Sequence, residues 1–325
     1  MIKLDNTNAK SEVNSGFGTN ANSYGGRFIN KDGSANIERR GLKFLESISW
    51  YHTLIDMNLW KFMTVLLSFF VVINLIFATI YDLIGLQYLN GIDVGGTTIK
   101  NFFKAFFFSA QTFTTVGYGH ISPNGFLTSS VAAIEALVGL LSFSVATGLF
   151  FGRFSKPKAY LRFSKNALIS PYKNGIALMM RVTPYKNTNF TYADAKATLG
   201  LRLMENGVRT NKFFQLELEL ARVNTLSLSW TLVHHITENS PLFGFQKEDL
   251  LHTDGEIIVF IKTFDDMYST TVGTKTSYTF NEIMYGAKFE LMYAENESKT
   301  KTILQLDKLD SFYEVEMPKI TSQEI

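Results

Sequence analysis

Cysteine is absent from the 325-residue sequence, which excludes disulfide bonds and permits a cytoplasmic location for a large part of the chain. The G-x-S-x-G, Walker A and CxxC motifs are absent as well, so the sequence carries no nucleophile or phosphate-binding signature of an enzyme. The formal net charge of +2 gives no indication of nucleic acid binding. The N-terminus is polar and rich in Asn and Gly, and we expect no signal peptide. We predict a protein that is not an enzyme and needs neither cofactor nor nucleic acid.

Two long apolar runs stand out, although hydrophobic residues make up only 46% of the chain. Residues 62–80 carry no charge, and residues 127–151 carry one, Glu135. Each run is long enough to cross a bilayer, which takes about 20 apolar residues. We therefore predict two transmembrane helices, with the part from residue 159 onward outside the membrane.

Basic residues near the two runs predict the orientation, because cytoplasmic flanks carry an excess of Lys and Arg. The flanking basic residues are Arg39, Arg40, Lys43 and Lys61 before the first run, and Arg153, Lys156, Lys158, Arg162 and Lys165 after the second. Lys100 and Lys104 lie between the runs. We predict a multi-pass protein of the inner (plasma) membrane with both termini in the cytoplasm.

The segment between the runs contains the loop Thr114, Thr115, Val116, Gly117, Tyr118 and Gly119. In a T-V-G-Y-G loop, main-chain carbonyl oxygens replace the water around a potassium ion. The carbonyls must point to one axis, so successive residues alternate between left- and right-handed conformations, which Gly117 and Gly119 adopt at little cost. One chain supplies one wall, so the motif predicts a ring of four copies. In a soluble protein G-Y-G is usually a turn, and the position between two spans favours the ion site.

The residues before this loop, 101–113, are too few to span a membrane. We predict a half-helix that enters the membrane and stops, with its backbone buried by protein. Its carbonyl end lies just before Thr114 and carries about half a negative charge. Four such ends would stabilise a cation near the middle of the membrane.

The N-terminal part contains three predicted segments. Residues 1–26 are expected to be largely disordered. Residues 27–37 have short β-like pieces around a Lys-Asp-Gly turn and are expected to add a strand elsewhere in the fold. Residues 44–57 are predicted to form an amphipathic helix with Phe44, Ile48, Tyr51 and Ile55 on one face. Its Trp50 suits the membrane surface, and a helix packed on soluble protein is the alternative.

Strand patterns dominate from about residue 170 onward. Residues 193–203 alternate apolar and polar side chains, as in a half-buried strand, and residues 216–220 do the same. Residues 257–261 form a continuous apolar run, as expected for a central strand. Several short strands with little helical periodicity predict a β-sandwich.

Four polar residues have both a structural and a functional interpretation. For Glu135, the only acid of the second run, we favour a hydrogen bond behind the selectivity loop over a place in the pore. Asn74 is predicted to make a helix–helix hydrogen bond rather than contact ions. His234 and His235 are adjacent on a predicted strand and point to opposite faces, so structural use is favoured over a shared metal.

The chain resembles the prokaryotic inward-rectifier potassium channels, the KirBac family. RFINKDGSANI resembles the N-terminal strand, YHTLIDMNLWKF the slide helix, AFFFSAQTFTTVGYG the pore helix and filter, and FGRFSKPKA the basic segment after the inner helix. Three further segments are similar to signatures of the family's cytoplasmic domain: SWTLVHHITENSPLFG, TSYTFNEIMYGAKF and DSFYEVE. The resemblance implies a two-span α-helical pore domain with a re-entrant pore helix and selectivity loop, followed by an all-β immunoglobulin-like sandwich.

The resemblance also implies roles for particular residues in a homotetramer that conducts K⁺ passively. Potassium sites are expected at Thr115, Val116, Gly117 and Tyr118, and gate and cavity positions at Gly139, Phe143 and Phe151, with the inner helix bending at Gly139. Anionic or phosphoinositide-like lipids are expected at Lys61, Arg153, Lys156 and Lys158. The positions expected to support the filter are Gln111 and Glu135.

The sequence departs from the family pattern at four positions, of which Tyr285, in place of a frequent Trp, is expected to affect packing only. Phe143 stands where strong eukaryotic rectifiers carry an acid, which predicts weak rectification. Gln111 stands where many relatives have Glu, and His120 stands where relatives often have Asp. The ion pair that supports the filter in relatives is therefore not expected in this chain.

The predicted domains are an N-terminal cytoplasmic segment with a short edge strand (1–43), a slide helix (44–58), a pore domain (59–155) and a regulatory β-sandwich (156–325). Two other interpretations stay open. One is a potassium channel of another branch with a different cytoplasmic sensor. The other is a membrane-anchored sensor or binding protein whose loop does not conduct.

Overall fold

The computed structural model describes residues 27–41, 49–92, 95, 97–205 and 208–318. The chain forms two compact units, one made of Met1–Arg39 with Pro157–Ile325 and the other of Arg40–Lys156. We call the first the β unit and the second the membrane unit. The predictions for residues 1–26, for Lys43 and for residues 44–48 lie outside the described residues. The four predicted domain boundaries stay predictions.

Four α-helices make up most of the described part of the membrane unit. They are α1 (Trp50–Asp56), α2 (Leu59–Ile84), α3 (Thr98–Phe113) and α4 (Phe126–Phe154). α2 and α4 are long and apolar enough to cross a membrane, and they lie where the two transmembrane helices were predicted. A two-residue strand pair, β1 (Leu89–Asn90) with β2 (Ser122–Pro123), joins the segments that follow α2 and precede α4.

The half-helix predicted before the selectivity loop is α3, which begins three residues earlier than expected. Its 16 residues extend about 24 Å, less than the roughly 30 Å of a bilayer core. α3 packs against both α2 and α4. Its contact with α2 and the segment after α2 is a buried cluster that includes Phe77, Ala78, Tyr81, Leu86, Leu89, Ala105 and Phe108. Protein therefore covers one side of the re-entrant backbone.

The amphipathic helix is shorter than predicted in its described part. Ser49 has an extended conformation (φ −87°, ψ 96°), so α1 begins at Trp50 and no continuous helix runs from residue 44 to residue 57. The helix ends at Asp56, because Met57 is extended as well. No residue of α1 is fully buried within the membrane unit. Tyr51 and Ile55 nevertheless contact α4 near Gly152, so one face of α1 packs against α4.

The β unit consists of short strands connected mostly by turns. In chain order they are β3 (Leu161–Phe163), β4 (Ala167–Tyr172), β5 (Gly175–Pro184), β6 (Phe190–Glu205), β7 (Val208–Leu216), β8 (Arg222–Thr225), β9 (Trp230–His235), β10 (Gly255–Asp265), β11 (Thr270–Thr279), β12 (Ile283–Tyr285), β13 (Ala287–Phe289), β14 (Tyr293–Glu295), β15 (Thr302–Leu304) and β16 (Phe312–Glu314). A short helix, α5 (Lys247–His252), precedes β10. The predicted all-β sandwich is confirmed.

Two five-stranded sheets pack face to face. One has the order β11-β10-β6-β7 with β8 also paired to β6, and the other has the order β12-β4-β5-β3 with β9 also paired to β5. Their facing sides share one core, to which the first sheet contributes Leu199, Ile257 and Val259 and the second contributes Leu178 and Met180. The predicted central strand at residues 257–261 is part of β10, which pairs with β6 on one side and β11 on the other.

Three strand predictions need correction. Strands begin at Leu161, nine residues before the predicted start at residue 170. Residues 217–220 form no strand, since β7 ends at Leu216 and Leu220 is exposed. The main-chain N–H of Glu219 instead bonds the Val233 carbonyl at 2.8 Å. Residues 27–37 form no strand either, because a single antiparallel bridge between Ile29 and Ala35 closes a tight turn.

Candidate functional site

The selectivity loop leaves the end of α3 with alternating backbone handedness. Thr115, Gly117 and Gly119 have φ values of 59°, 47° and 78°, in the left-handed region. The alternation expected for successive residues of the loop is present, and it includes Thr115, although a threonine rarely has positive φ. Such alternation turns successive carbonyl oxygens to the same side of the chain.

Main-chain hydrogen bonds hold the inner end of the loop. The carbonyl oxygen of Gln111 accepts the N–H groups of Val116 at 3.0 Å and of Gly117 at 3.3 Å. The Thr114 hydroxyl donates to the Ala110 carbonyl at 2.7 Å. Gln111 therefore contacts the loop through its main chain, a role that depends on its position in the last turn of α3.

The side chains of the loop lie largely uncovered within one chain. Val116 is 54% exposed and Tyr118 is 79% exposed, although neither is charged. An added Cβ at Gly117 or Gly119 would meet nothing within 4 Å. The loop thus has no packing partner on one side among the described residues of its own chain.

Behind the loop, a buried hydrogen-bonded network joins α2, α3 and α4. The Glu135 carboxylate on α4 accepts the hydroxyl of Tyr81 on α2 at 2.7 Å and that of Ser109 on α3 at 2.5 Å. Asn74 lies 2.9 Å from the Ser109 hydroxyl through its side-chain oxygen and donates to the Phe70 carbonyl at 2.7 Å. Glu135 and Asn74 thus make the interhelical hydrogen bonds that we favoured.

One turn further along α4, Gly139 touches the end of the pore helix. An added Cβ at Gly139 would overlap the carbonyl oxygen of Phe113, the last residue of α3. α4 runs as one helix from Phe126 to Phe154 through this position. Close packing against the end of α3 therefore explains why residue 139 is a glycine. This explanation is separate from the helix bend that the resemblance implied.

The outer end of the loop is fixed through its main chain. An added Cβ at Gly91 would overlap the carbonyl oxygen of His120, so the two segments lie in direct contact. Close by, the Asn124 N–H donates to the Tyr88 carbonyl at 2.8 Å. His120 thus packs by its backbone against the segment that follows α2.

The two phenylalanines expected at the gate lie on α4 and face away from the rest of the membrane unit. Phe143 and Phe151 are each 73% exposed. They are eight residues apart, so about 80° of helical rotation separates them. The described residues of one chain leave most of both rings uncovered.

The basic residues expected to bind lipid differ in their surroundings. A guanidinium nitrogen (Nη1) of Arg153 donates to the Ile55 carbonyl at 3.0 Å, and its guanidinium lies 5.5 Å from the centre of the Phe62 ring. Lys156 forms an ion pair with Asp56. Lys61 and Lys158 are exposed. Arg153 and Lys156 therefore hold the end of α1 against the end of α4.

In the β unit, the segment from Arg27 to Lys31 is held by carboxylates that the sequence did not reveal. The buried Glu256 carboxylate accepts the N–H groups of Phe28 at 2.5 Å and of Ile29 at 3.0 Å. Glu282 forms ion pairs with Arg27 at 2.7 Å and with Lys31 at 3.5 Å. Burial lowers the pKa of Lys31 to about 8, and the Glu282 charge opposes this shift.

The two adjacent histidines serve separate contacts, in agreement with the structural interpretation. The buried His234 ring lies 2.7 Å from the Glu217 carbonyl and 2.8 Å from the Ser240 hydroxyl. Burial lowers the pKa of His234. His235 faces the other way and lies 3.1 Å from a Glu219 carboxylate oxygen. Among the described residues, no group of three or more His, Asp or Glu side chains could hold a metal ion.

Two apolar helices around a half-helix and a T-V-G-Y-G loop, joined in one chain to a β-sandwich, define a pore-loop ion channel with a sandwich domain. Residues 161–325 match the inward rectifier potassium channel C-terminal domain, and residues 68–156 match the ion channel family. The chain belongs to the inward rectifier potassium channel family and is KirBac-like. This family consists of ion channels rather than enzymes, and the interpretation as a channel of another branch is wrong.

Relatives from bacteria and animals share most of the chain. The inward rectifier potassium channel Kirbac3.1 of Paramagnetospirillum magnetotacticum is 33% identical over 81% of this chain and 88% of its own. The ATP-sensitive inward rectifier potassium channel 12 of Gallus gallus is 27% identical over 85% of this chain and 69% of its own. The inward rectifier potassium channel irk-1 of Caenorhabditis elegans is 26% identical over 92% of this chain and 59% of its own.

Proposed function

We propose that four copies of this chain form a potassium-selective pore in which Thr115, Val116, Gly117 and Tyr118 hold K⁺. The observation that carries this proposal is the left-handed backbone at Thr115, Gly117 and Gly119. With this alternation the carbonyl oxygens of the loop form a row that can replace the hydration shell of the ion. The Thr115 hydroxyl adds an oxygen at the inner end.

The fourfold arrangement follows from what one chain lacks. A single loop supplies one wall of each ion site, and the exposed side chains of Val116 and Tyr118 need neighbours. The carbonyl end of α3 points its partial negative charge to the start of the loop. Four α3 ends around one axis would stabilise a cation at the inner end of the filter.

The gate of this pore lies at Phe151, with Phe143 as a second ring nearer the filter. Both side chains are exposed on α4, which supports a position on the central axis of an assembly. Four phenylalanine rings around an axis can close a pore by steric contact and by dewetting. Phe151→Ala should raise resting flux, and an unchanged flux would place the constriction elsewhere.

Anionic lipids act at the cytoplasmic end of the spans, through Lys61, Arg153, Lys156 and Lys158. The excess of basic residues on both outer flanks supports this site and a cytoplasmic location for both termini. The contacts of Arg153 and Lys156 with α1 give the lipid a route to the inner helix. The β-sandwich contributes a cytoplasmic regulatory domain.

The experiment that tests the function is ion flux into liposomes that contain the purified protein. Liposomes that are loaded with potassium and contain the channel should take up rubidium, and barium should block this uptake. Native mass spectrometry of the same sample should give the mass of four chains. A protein that binds lipid but takes up no rubidium in any lipid mixture would be a sensor without conduction, and the proposal would be wrong.

A further inference from the structure

The outer face of the sheet that contains β6, β10 and β11 is covered at one end and open at the other. At the covered end, Phe28 and Ile29 pack against Phe213 of β7 and Ile258 of β10, and all four side chains are buried. Two residues further along β10, Phe260 is 42% exposed. The segment around Phe28 therefore covers only part of this face.

Phe260 is an aromatic ring laid on the open part of the sheet. It points away from the sandwich core, because its neighbours Val259 and Ile261 belong to that core and side chains alternate along a strand. An added Cβ at Gly273 of β11 would come within 3.2 Å of the ring. The ring thus occupies the space that a side chain at residue 273 would need. Among the described residues, Phe260 makes no ring contact with another aromatic side chain or with a cation.

The strand register places a lysine on each side of this ring. Lys196 of β6 and Lys275 of β11 are the two cross-strand partners of Phe260. The Cβ atoms of such partners are about 5 Å apart. Lys262 follows on the same face of β10, one position beyond the core residue Ile261. Three ammonium groups therefore lie around one exposed ring.

The positive charge of this face is not balanced by acids of the β unit. None of the three lysines forms an ion pair with a described residue. Lys262 lies opposite Asp194, but that carboxylate is ion-paired with Arg222. Lysines alone would make an ordinary hydrated surface. The ring between them adds a flat apolar platform, so the face combines stacking with attraction of negative charge.

We propose that this face binds a small planar aromatic anion, which stacks on Phe260 and sets its acidic groups against Lys196 and Lys275. Aromatic rings pair favourably in offset stacked geometry, and the acidic groups at the edge of the ligand would reach the flanking ammonium groups. The chemical class is an aromatic ring with two or more carboxylate or sulfonate groups. One chain supplies the whole site, so the proposal depends neither on the tetramer nor on conduction.

The test is fluorescence anisotropy of pyrene tetrasulfonate, a planar aromatic anion, titrated with the full-length protein in a maltoside detergent. Phe260→Leu keeps an apolar side chain over Gly273 without the ring and should weaken binding about tenfold. Lys196→Gln should weaken it by up to about fivefold. The controls are Phe243→Leu and Lys288→Gln, which change exposed residues elsewhere in the β unit and should bind as the parent does. Phe260→Tyr keeps the ring and should also bind as the parent does.

Competition separates stacking from charge alone. Benzene tricarboxylate and citrate each carry three carboxylates, and only the first has a ring to stack on Phe260. Benzene tricarboxylate should displace the probe from the parent at a concentration about tenfold lower than citrate. Equal displacement by the two, equal binding by the parent and Phe260→Leu, or no saturable binding by the parent would each overturn the proposal. Rubidium uptake is not part of this readout, so a failure of the proposed channel function would leave the result unchanged.

Discussion

The last carbonyl of the pore helix, at Phe113, lies directly against the α carbon of Gly139 on the following span. One turn before this contact, Glu135 accepts the Ser109 hydroxyl. α4 therefore meets α3 at two successive turns, first by a hydrogen bond and then by close backbone approach. Because the selectivity loop begins at the end of α3, these two contacts set where the loop starts.

Gly139→Ala should abolish or strongly reduce potassium flux. The added methyl group overlaps the Phe113 carbonyl oxygen, so either α4 or the end of α3 must move. Gly148→Ala is the matched control, since it lies on the same helix and its Cβ would meet nothing within 4 Å. The control should keep flux within about twofold and gain helix stability of up to about 1 kcal/mol. Rubidium uptake measures both variants, and equal flux from the two would contradict the packing role.

Glu135→Leu should destabilise the membrane unit more than Glu135→Gln. The leucine leaves the buried hydroxyl of Tyr81 without its acceptor, at about 1–3 kcal/mol, whereas the Ser109 hydroxyl keeps an acceptor in the Asn74 side-chain oxygen at 2.9 Å. Glutamine keeps one oxygen as an acceptor. Thermal unfolding in detergent should rank the parent above Glu135→Gln and Glu135→Leu last. The K⁺ over Na⁺ preference should fall in the same order.

A double variant checks that the hydrogen bond of Tyr81 causes this effect. Adding Tyr81→Phe to Glu135→Leu removes the stranded hydroxyl and should recover part of the lost stability, because replacing both partners costs less than stranding one. No recovery would mean that the leucine acts through its shape.

Asp56→Asn should raise the sensitivity of the channel to anionic lipid, and Lys156→Gln should lower it. Asp56 and Lys156 form an ion pair, so a lipid phosphate competes with the aspartate for the lysine. Both side chains are partly exposed, and such pairs are worth about 0–1 kcal/mol, which corresponds to a shift of up to roughly fivefold in lipid affinity. Flux titrated with anionic lipid measures the shift. Lys100→Gln, on the other side of the membrane in the proposed topology, should change nothing, and equal behaviour of all three variants would exclude the competition.

Lys31 should make the stability of the β unit rise with pH. Burial lowers its folded-state pKa to about 8, whereas the unfolded chain keeps the ordinary value of 10.5. Between these two values the unfolded state binds more protons, so the free energy of unfolding increases as pH rises. Arg27 contributes to the shift, and Glu282 and Asp310 oppose it.

Lys31→Met should remove that rise, which denaturant unfolding between pH 7.5 and pH 10 would detect. Lys288→Met, which changes an exposed lysine of β13, should keep it. The same pH dependence in both variants would show that other groups titrate in this window.

The sequence predicted those features of the fold that depend on length, periodicity and local motif. Two apolar runs with one charge between them predicted α2 and α4, and the alternation of apolar and polar residues at 193–203 predicted β6. The limits of a strand depend on its partners, which explains why residues 217–220 alternate and yet leave the sheet at Leu216. Similarly, the tight turn at residues 27–37 depends on Glu256 and Glu282, more than 200 positions away.

Within the site, the sequence indicated the loop and its glycines but not what holds them. Thr115 has a positive φ, and the Gln111 carbonyl binds the N–H groups of the two residues that follow it. The partners of Glu135 lie 26 and 54 positions before it, so no local pattern could identify them. Gly139 could be identified as small, while the oxygen that requires a glycine there belongs to another helix.

The reversal potential of the purified protein in a planar bilayer tests the central claim most directly, with potassium on one side and sodium on the other. A pore lined by the carbonyl oxygens of residues 115–118 should give a reversal potential that follows the potassium gradient. This dependence on potassium should disappear in the Thr115→Val and Gly117→Ala proteins. A current that reverses near zero, because sodium and potassium pass equally well, would contradict the account.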